Sequence, residues 1–150
     1  MIYEETLNNI YELVKKHSNL FGNTSYDISI LPGWIPLVDT MLDVVQKELK
    51  ENERLQIVQI RESNGSLRFS FGTKGVSEER SRIFHRLIGI AEHKSEKICS
   101  LCGEPGKIEG DLWVSTKCEQ HRGKRSAFDN YSVSAISKHE DRMAKLLKLA

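Results

Sequence analysis

Cysteine is scarce in this sequence: three of the 150 residues are cysteines, and all three lie between positions 99 and 118. No apolar run approaches the roughly 20 residues that a membrane-spanning helix requires. The first residues, MIYEETLNN, include acidic side chains and lack the apolar stretch of a signal peptide. Because an odd cysteine count without an export signal favours a reducing compartment, we expect a cytoplasmic protein that does not associate with membranes.

The overall composition also lacks a strong bias, since 39% hydrophobic and 29% charged residues are typical of a globular domain. The net charge of +1 nevertheless hides an uneven distribution. Residues 1–53 contain four Lys or Arg against nine Asp or Glu, whereas residues 54–150 contain eighteen against twelve. This pattern indicates either ordinary solvated faces or an acidic surface for one partner and a basic C-terminal region for another.

Apolar residues at helical spacing predict three helices in the first hundred residues. The first covers residues 3–18, and the second begins near Pro36, since proline is tolerated in a first helical turn. The third follows Ser77, a residue type that caps helix N-termini. The segment FGNTSYDISILPG between the first two helices predicts turns. We expect Trp34 to pack beside the second helix, the alternative being an exposed anchor for a partner.

A β-hairpin is predicted over residues 55–71. Residues 55–62 are rich in β-branched side chains, and residues 67–71 alternate apolar with polar. Asn64-Gly65 between them is typical of a type I′ turn, in which both central residues have positive φ. The alternation places one set of side chains on the buried face and the other on the exposed face. The expected buried residues are Leu67, Phe69 and Phe71, and the expected exposed ones are Arg68 and Ser70.

The three cysteines and one histidine follow the pattern C-x-x-C, fifteen residues, then C-x-x-H. Structural zinc takes four Cys or His ligands in a tetrahedron, and a short hairpin between the two pairs would return the second pair to the first. Buried reduced thiols beside a surface histidine, or a redox C-x-x-C, are the alternatives. Four protein ligands leave no coordination position for water, so we expect the Zn²⁺ to be structural. The predicted metal ligands are Cys99, Cys102, Cys118 and His121.

These elements together predict an α+β fold, with helices packed on a small antiparallel hairpin or sheet. The expected organisation is an α-α-β-β-α core over residues 1–97, a zinc-ribbon-like module over 98–122, and a polar loop with a terminal helix over 123–150.

Motifs of the common enzyme classes are absent from the sequence. It contains no G-x-x-x-x-G-K, G-x-S-x-G or H-E-x-x-H, and its cysteines do not follow a deaminase pattern. The histidines on the predicted helices, His17 among them, have no companions at catalytic spacing. Asp39 and Asp43 share a helix face, a spacing more typical of an exposed acidic surface than of acid–base catalysis. We therefore expect a protein without enzymatic activity.

Three segments, GW..LVD, VQIRESNGSLRFSF and ICSLCGEPG…W.STKCEQH, resemble a family of small uncharacterised bacterial and phage proteins. The resemblance covers about residues 33–121. It implies a zinc-binding α+β core with the same four ligands, and a family found at mobile and variable bacterial loci. The chain departs from the family pattern at Ser63-Asn64-Gly65, where that pattern has KFG, and at TKCEQH, where it has TLCDxH.

The expected function is that of a non-enzymatic, zinc-stabilised protein-binding protein, an inhibitor or a toxin-neutralising immunity protein. Acidic residues of the second helix are the expected partner-binding residues, and a basic toxin is the expected partner. They are Asp39, Asp43, Glu48 and Glu51. The alternative is a zinc-ribbon protein that binds nucleic acid through its basic C-terminal region. Its candidate residues are Arg122, Lys124 and Arg125.

Overall fold

Helices and short strands alternate along the chain in the computed structural model, which describes residues 2–22, 26–110 and 114–122. The α+β class predicted from the sequence is confirmed. The elements are α1 (Ile2–Lys16), β1 (Asp27–Ser29), α2 (Ile35–Glu48), β2 (Arg54–Ser63), β3 (Ser66–Lys74), α3 (Glu78–Ser95), β4 (Lys107–Glu109) and β5 (Ser115–Lys117). Short 3₁₀ turns cover Ser18–Leu20, Pro32–Trp34 and Glu119–His121. The expected terminal helix within residues 123–150 lies outside the described residues.

The predicted hairpin is formed by β2 and β3, which pair antiparallel. Asn64 and Gly65 have φ angles of 53° and 82°, as a type I′ turn requires. The register is also confirmed. Leu67 is buried, Phe69 and Phe71 are half-buried against the core, and the alternate side chains Arg68 and Ser70 are exposed.

The sheet has a third strand that the sequence did not reveal. Strand β1 pairs in parallel with β2, with Asp27 opposite Gln59, so the sheet is mixed and its strand order is β1-β2-β3. The expectation of turns through this segment and of a purely antiparallel sheet is wrong at this strand. Three residues are too few to show a strand alternation, although Ile28 at the centre of β1 is fully buried.

The helices cover the sheet and close one of its edges. At the start of α3, Ser77 Oγ accepts a hydrogen bond from the Arg80 N–H at 3.2 Å, which confirms the predicted cap. Further along α3, Ser95 Oγ accepts from the Leu67 N–H at 2.8 Å, and a Glu92 carboxylate oxygen accepts from the Phe69 N–H at 3.0 Å. Side chains of α3 thus accept from N–H groups of β3 that do not pair with β2. The free edge of the sheet at β3 is therefore kept from pairing with another strand.

Trp34 lies at the centre of the core with no exposed surface. The expectation that it packs beside the second helix is confirmed, and it is not an exposed anchor. Its indole Nε1–H donates to the Ile98 carbonyl at 2.9 Å, a contact between the start of α2 and the beginning of the cysteine segment. Within the described part of the chain, every helix is too short or too polar to cross a membrane.

Candidate metal centre

The first cysteine pair lies in a tight turn directly after α3. The Gly103 N–H donates to the Cys99 carbonyl at 2.9 Å, and the Cys99 N–H donates to the Glu104 carbonyl at 2.7 Å. Gly103 has a φ of 83°, a left-handed conformation that suits glycine because it lacks a Cβ atom. This turn brings Cys99 and Cys102 to the same side of the segment.

The second ligand pair is delivered by the predicted hairpin of β4 and β5, which pair antiparallel from Lys107–Lys117 to Glu109–Ser115. Cys118 follows β5 directly and begins a 3₁₀ turn in which the His121 N–H donates to the Cys118 carbonyl at 3.1 Å. That turn points the imidazole Nδ1 at the sulfurs. Residues 111–113, which include Trp113, lie outside the described part of the hairpin.

The four predicted ligands come together. Their ligand atoms all lie within 4.8 Å of one another. The sulfurs of Cys102 and Cys118 are 3.7 Å apart, and His121 Nδ1 lies 3.7 Å from the Cys99 sulfur and 3.2 Å from the Cys118 sulfur. A zinc tetrahedron built from ordinary bond lengths has edges of about 3.8 Å between sulfurs and about 3.6 Å between sulfur and nitrogen. The arrangement therefore fits a tetrahedral ion, and the three cysteines form no disulfide.

The chemistry of the thiols also favours a cation. Burial opposes ionisation of Cys99, but N–H groups of Cys102, Cys118 and Leu101 and the His121 ring outweigh it and lower the pKa of this thiol. Burial and the neighbouring sulfurs raise the pKa of Cys102. Hydrogen bonds thus stabilise the thiolate form of Cys99, whereas burial and the neighbouring sulfurs disfavour the thiolate form of Cys102. A bound cation would favour the thiolate form of the cysteines, and soft sulfur with imidazole nitrogen is a donor set that suits Zn²⁺.

The metal centre is hydrogen-bonded to the core from two directions. The Gly33 N–H donates to the Ser100 carbonyl at 2.8 Å, next to the bond from Trp34 to Ile98. On the other side, Thr116 Oγ1 donates to the Gly65 carbonyl at the tip of the β2–β3 hairpin. A metal ion held here fixes the start of α2, the end of α3 and the hairpin tip relative to one another.

The four acidic residues expected to bind a partner are divided between two sides of α2 and the turn after it. Lys16 Nζ donates to both carboxylate oxygens of Asp39, at 3.1 and 3.2 Å, and lies 3.5 Å from Asp43. Glu48 instead accepts from Arg80 at 2.8 Å. Asp39 and Glu48 are nine residues apart, which at about 100° per residue places them on opposite sides of α2. Glu51 is exposed in the turn after α2, and a role of these four residues in partner binding stays a prediction.

His17 has a structural role that was not predicted from the sequence, since its side chain is only 1% exposed. Its Nε2 lies 2.7 Å from Asp39 Oδ1, and its Nδ1 lies 3.3 Å from Gln46 Oε1. Burial works against the charged form of Asp39, but the hydrogen bonds from His17 and Lys16 outweigh it and lower the pKa of this carboxyl. The cluster ties the end of α1 to α2, with the Lys16 ammonium as its cation. The two polar partners of His17 lie 22 and 29 positions later in the sequence, so no local pattern signals this contact.

A second ion-pair cluster, on the other side of α2, centres on Glu53, which is nearly buried. Arg80 donates to both of its carboxylate oxygens, at 2.7 and 2.9 Å, and the Lys50 N–H donates at 2.9 Å. These hydrogen bonds, led by those from Arg80, lower the pKa of Glu53 to about 2. The guanidinium also donates to the backbone carbonyl of Glu48 at 2.8 Å, so it joins the first turn of α3 to the end of α2.

Of the three residues proposed for nucleic-acid contact, the structure describes only one. Arg122 donates from Nε to a carboxylate oxygen of Glu109, and this pair raises the pKa of the guanidinium. Part of its charge is therefore balanced within the metal-binding module. Lys124 and Arg125 lie outside the described residues.

Comparisons of this chain with protein families, with curated proteins and with solved structures find no match. The resemblance drawn from the GW, LRF and C-x-x-C-G segments therefore stays a prediction.

Proposed function

We propose that the chain is a non-enzymatic, zinc-stabilised protein-binding protein, an inhibitor or a toxin-neutralising protein. The observation that carries the proposal is the set of four Cys and His side chains whose ligand atoms lie within 4.8 Å of one another, in a segment hydrogen-bonded to the core through Gly33, Trp34 and Thr116. Four protein ligands fill the coordination sphere of Zn²⁺, which suits a structural ion.

The role of the ion follows from where the ligands lie. Cys99 lies in the turn that follows α3. The backbone carbonyls of its neighbours Ile98 and Ser100 accept hydrogen bonds from Trp34 and Gly33, which lie just before α2. Metal binding at such a site is coupled to folding, because the four ligands are assembled only in the folded chain. A protein with a stable scaffold and no reaction to perform acts through its surface, and binding another protein is the function that this arrangement supports best.

Zinc content and its loss on substitution test the metal part of the proposal. We expect one zinc per full-length chain by elemental analysis, and release of the ion in Cys118→Ser with a loss of several kcal/mol in the free energy of unfolding. His121→Ala should weaken zinc binding, since water or another side chain replaces one ligand. His93→Ala is the matched control, because this histidine of α3 is largely exposed. A purified chain without metal, with three thiols reacting at the rate of free cysteine, would overturn the proposal.

Retention on nucleic acid separates the two functional hypotheses. The protein-binding proposal predicts no retention of the zinc-loaded full chain on immobilised DNA or RNA at physiological salt. The alternative predicts retention that falls steeply as salt increases, because phosphate contacts release counterions. Loss of that retention in Lys124→Glu with Arg125→Glu would assign function to the basic segment and contradict our proposal.

A further inference from the structure

An apolar groove runs along the outer surface between α2 and α3. Its lining residues are Leu37, Thr40, Met41, Val44, Leu87, Ile90, Ala91 and Lys94. Its volume of about 140 Å³ is below the roughly 300–1,000 Å³ of small-molecule sites. Such a groove accommodates one or a few side chains of another protein better than it accommodates a cofactor or substrate.

The groove is bordered by large apolar side chains that the fold leaves exposed. Val44 of α2 is 42% exposed and Ile90 of α3 is 50% exposed. Ile83, 37% exposed, lies two turns before Ile90 on the same side of α3. Five large hydrophobic residues are exposed in the described part of the chain, and these are three of them. The other two, Val58 and Ile108, lie on strands, so Val44 and Ile90 are the two of the five that line the groove.

The charges beside the groove are mostly basic. Lys47 follows Val44 by one turn on α2, Arg86 and Lys94 lie along the row of Ile83 and Ile90 on α3, and Lys97 comes two residues after the end of α3; all four are exposed. A single carboxylate, Glu79, begins the same row. The nearby acidic residues of α2 are paired elsewhere, Asp43 with Lys16 and Glu48 with Arg80. An occupant with acidic flanks is therefore electrostatically complementary to this groove.

We propose that the groove between α2 and α3 binds an amphipathic helix of a partner protein, whose apolar side lies on Val44 and Ile90 and whose flanking residues are acidic. The stretch from Leu37 to Val44 spans about 10 Å, which matches the two turns covered by i, i+3 or i+4, and i+7 anchors. This inference deepens the proposed function, on which it rests, by naming the surface and the chemistry of the partner.

The chain's own C-terminal residues are a less complementary occupant. Residues 134–150 contain four Lys or Arg against two Asp or Glu, so they carry the same sign of charge as the edge of the groove. A second copy of the chain would place the two basic rows of α3 beside each other in a symmetric contact. Charge thus favours an acidic partner over both alternatives.

Two labelled synthetic peptides form the probe. Both carry the same apolar stripe at i, i+4 and i+7, and one has Glu and the other Lys at the flanking positions. Fluorescence anisotropy with the zinc-loaded full-length chain should show the acidic peptide binding at least tenfold more tightly. Ile90→Asp should weaken that binding at least tenfold. Val58→Asp is the matched control, since Val58 is 49% exposed on β2, and it should bind as the parent does.

Charge reversal provides a second test that leaves the apolar contacts in place. Arg86→Glu with Lys94→Glu should reduce binding of the acidic peptide and increase binding of the basic one. Equal binding of the two peptides, or equal losses in Ile90→Asp and Val58→Asp, would overturn the proposal. So would tighter peptide binding in Leu147→Asp, which would assign the groove to the C-terminal segment, or a dimer in sedimentation that Ile90→Asp dissociates.

Zinc content and melting temperature, measured on each variant, separate this inference from the proposed function. If the chain holds one zinc and has the expected melting temperature but binds neither peptide, the groove proposal is overturned. The structural zinc site is not affected by that result. A chain that lacks zinc overturns the proposed function itself.

Discussion

Gly33 offers the sharpest test of how the metal centre is joined to the core. A Cβ atom added at this position would lie 2.2 Å from the Cys99 carbonyl oxygen and 2.6 Å from the Gly103 nitrogen. Both neighbours are backbone atoms of the first cysteine turn, so no side-chain rotation relieves the contact. Because non-bonded atoms prefer separations of about 3.5 Å, the cysteine turn must retreat by about 1 Å in Gly33→Ala.

The expected cost follows from the contacts that this movement strains. Overpacking at a tight backbone contact costs about 1–3 kcal/mol. The hydrogen bonds from Gly33 to Ser100 and from Trp34 to Ile98 contribute about 0.5–1.5 kcal/mol each. We therefore expect Gly33→Ala to lower the free energy of unfolding by about 2–6 kcal/mol, and to weaken zinc binding because Cys99 and Cys102 are displaced from the second ligand pair.

Urea unfolding and a competition titration with a zinc chelator measure the two effects. Gly89→Ala is the matched control, since a Cβ atom at this position of α3 meets nothing within 4 Å. Alanine is favoured over glycine in helices, so the control should be stabilised by about 1 kcal/mol. Unchanged stability and zinc affinity in Gly33→Ala would show that the cysteine turn does not depend on its contact with the start of α2, and that a metal ion held there does not fix the position of that helix.

Three further changes test other contacts of the fold. Because the pKa of Glu53 falls from 4.5 to about 2 in the folded chain, its stabilising effect should be complete above pH 4.5 and lost as pH falls towards 2. The difference in melting temperature between the parent and Arg80→Gln should therefore shrink over that range, and a constant difference would contradict the role of the ion pair. Trp34→Phe should cost about 1–3 kcal/mol in urea unfolding, because the Ile98 carbonyl loses its donor; a neutral result would show that the carbonyl finds another. Gly65→Ala should cost about 1–2 kcal/mol, because its φ is 82°; equal stability would mean that the turn changes type.

The metal ligands were predictable because their signal is local. Cys99 and Cys102, and likewise Cys118 and His121, are each three residues apart, and the hairpin between the pairs is short enough to be recognised from its composition. The β2–β3 hairpin was predictable for the same reason, since Asn64-Gly65 specifies its turn and the alternation after it specifies its register. In each of these cases the residues that determine the structure are also neighbours in the sequence.

The contacts that were missed connect residues far apart in the sequence. His17 and Asp39 are separated by 22 residues, and their pairing depends on how α1 packs on α2, which periodicity does not specify. Strand β1 pairs in parallel with β2, although the whole of α2 separates the two strands in the sequence. Its three residues are too few to display an alternation. The placement of Asp39 and Glu48 on opposite sides of α2 could have been predicted from the sequence. Nine residues of α-helix correspond to about two and a half turns, so side chains nine positions apart point in opposite directions.

The metal centre and the groove are connected through the two helices that they share. Leu37 at one end of the groove lies four residues after Gly33, and Lys94 lies five residues before Cys99. Gly33 and Trp34 hold the start of α2 against Ser100 and Ile98, so the ligand turn determines how far apart these helix ends lie. At the far end, Arg80 joins α3 to Glu48 and Glu53. A groove held at both ends is formed before a partner arrives, and a surface that needs no rearrangement loses less free energy on binding. A zinc ion held by the four ligands would fix the separation of α2 and α3, and under our proposal it would act on partner binding without touching the partner.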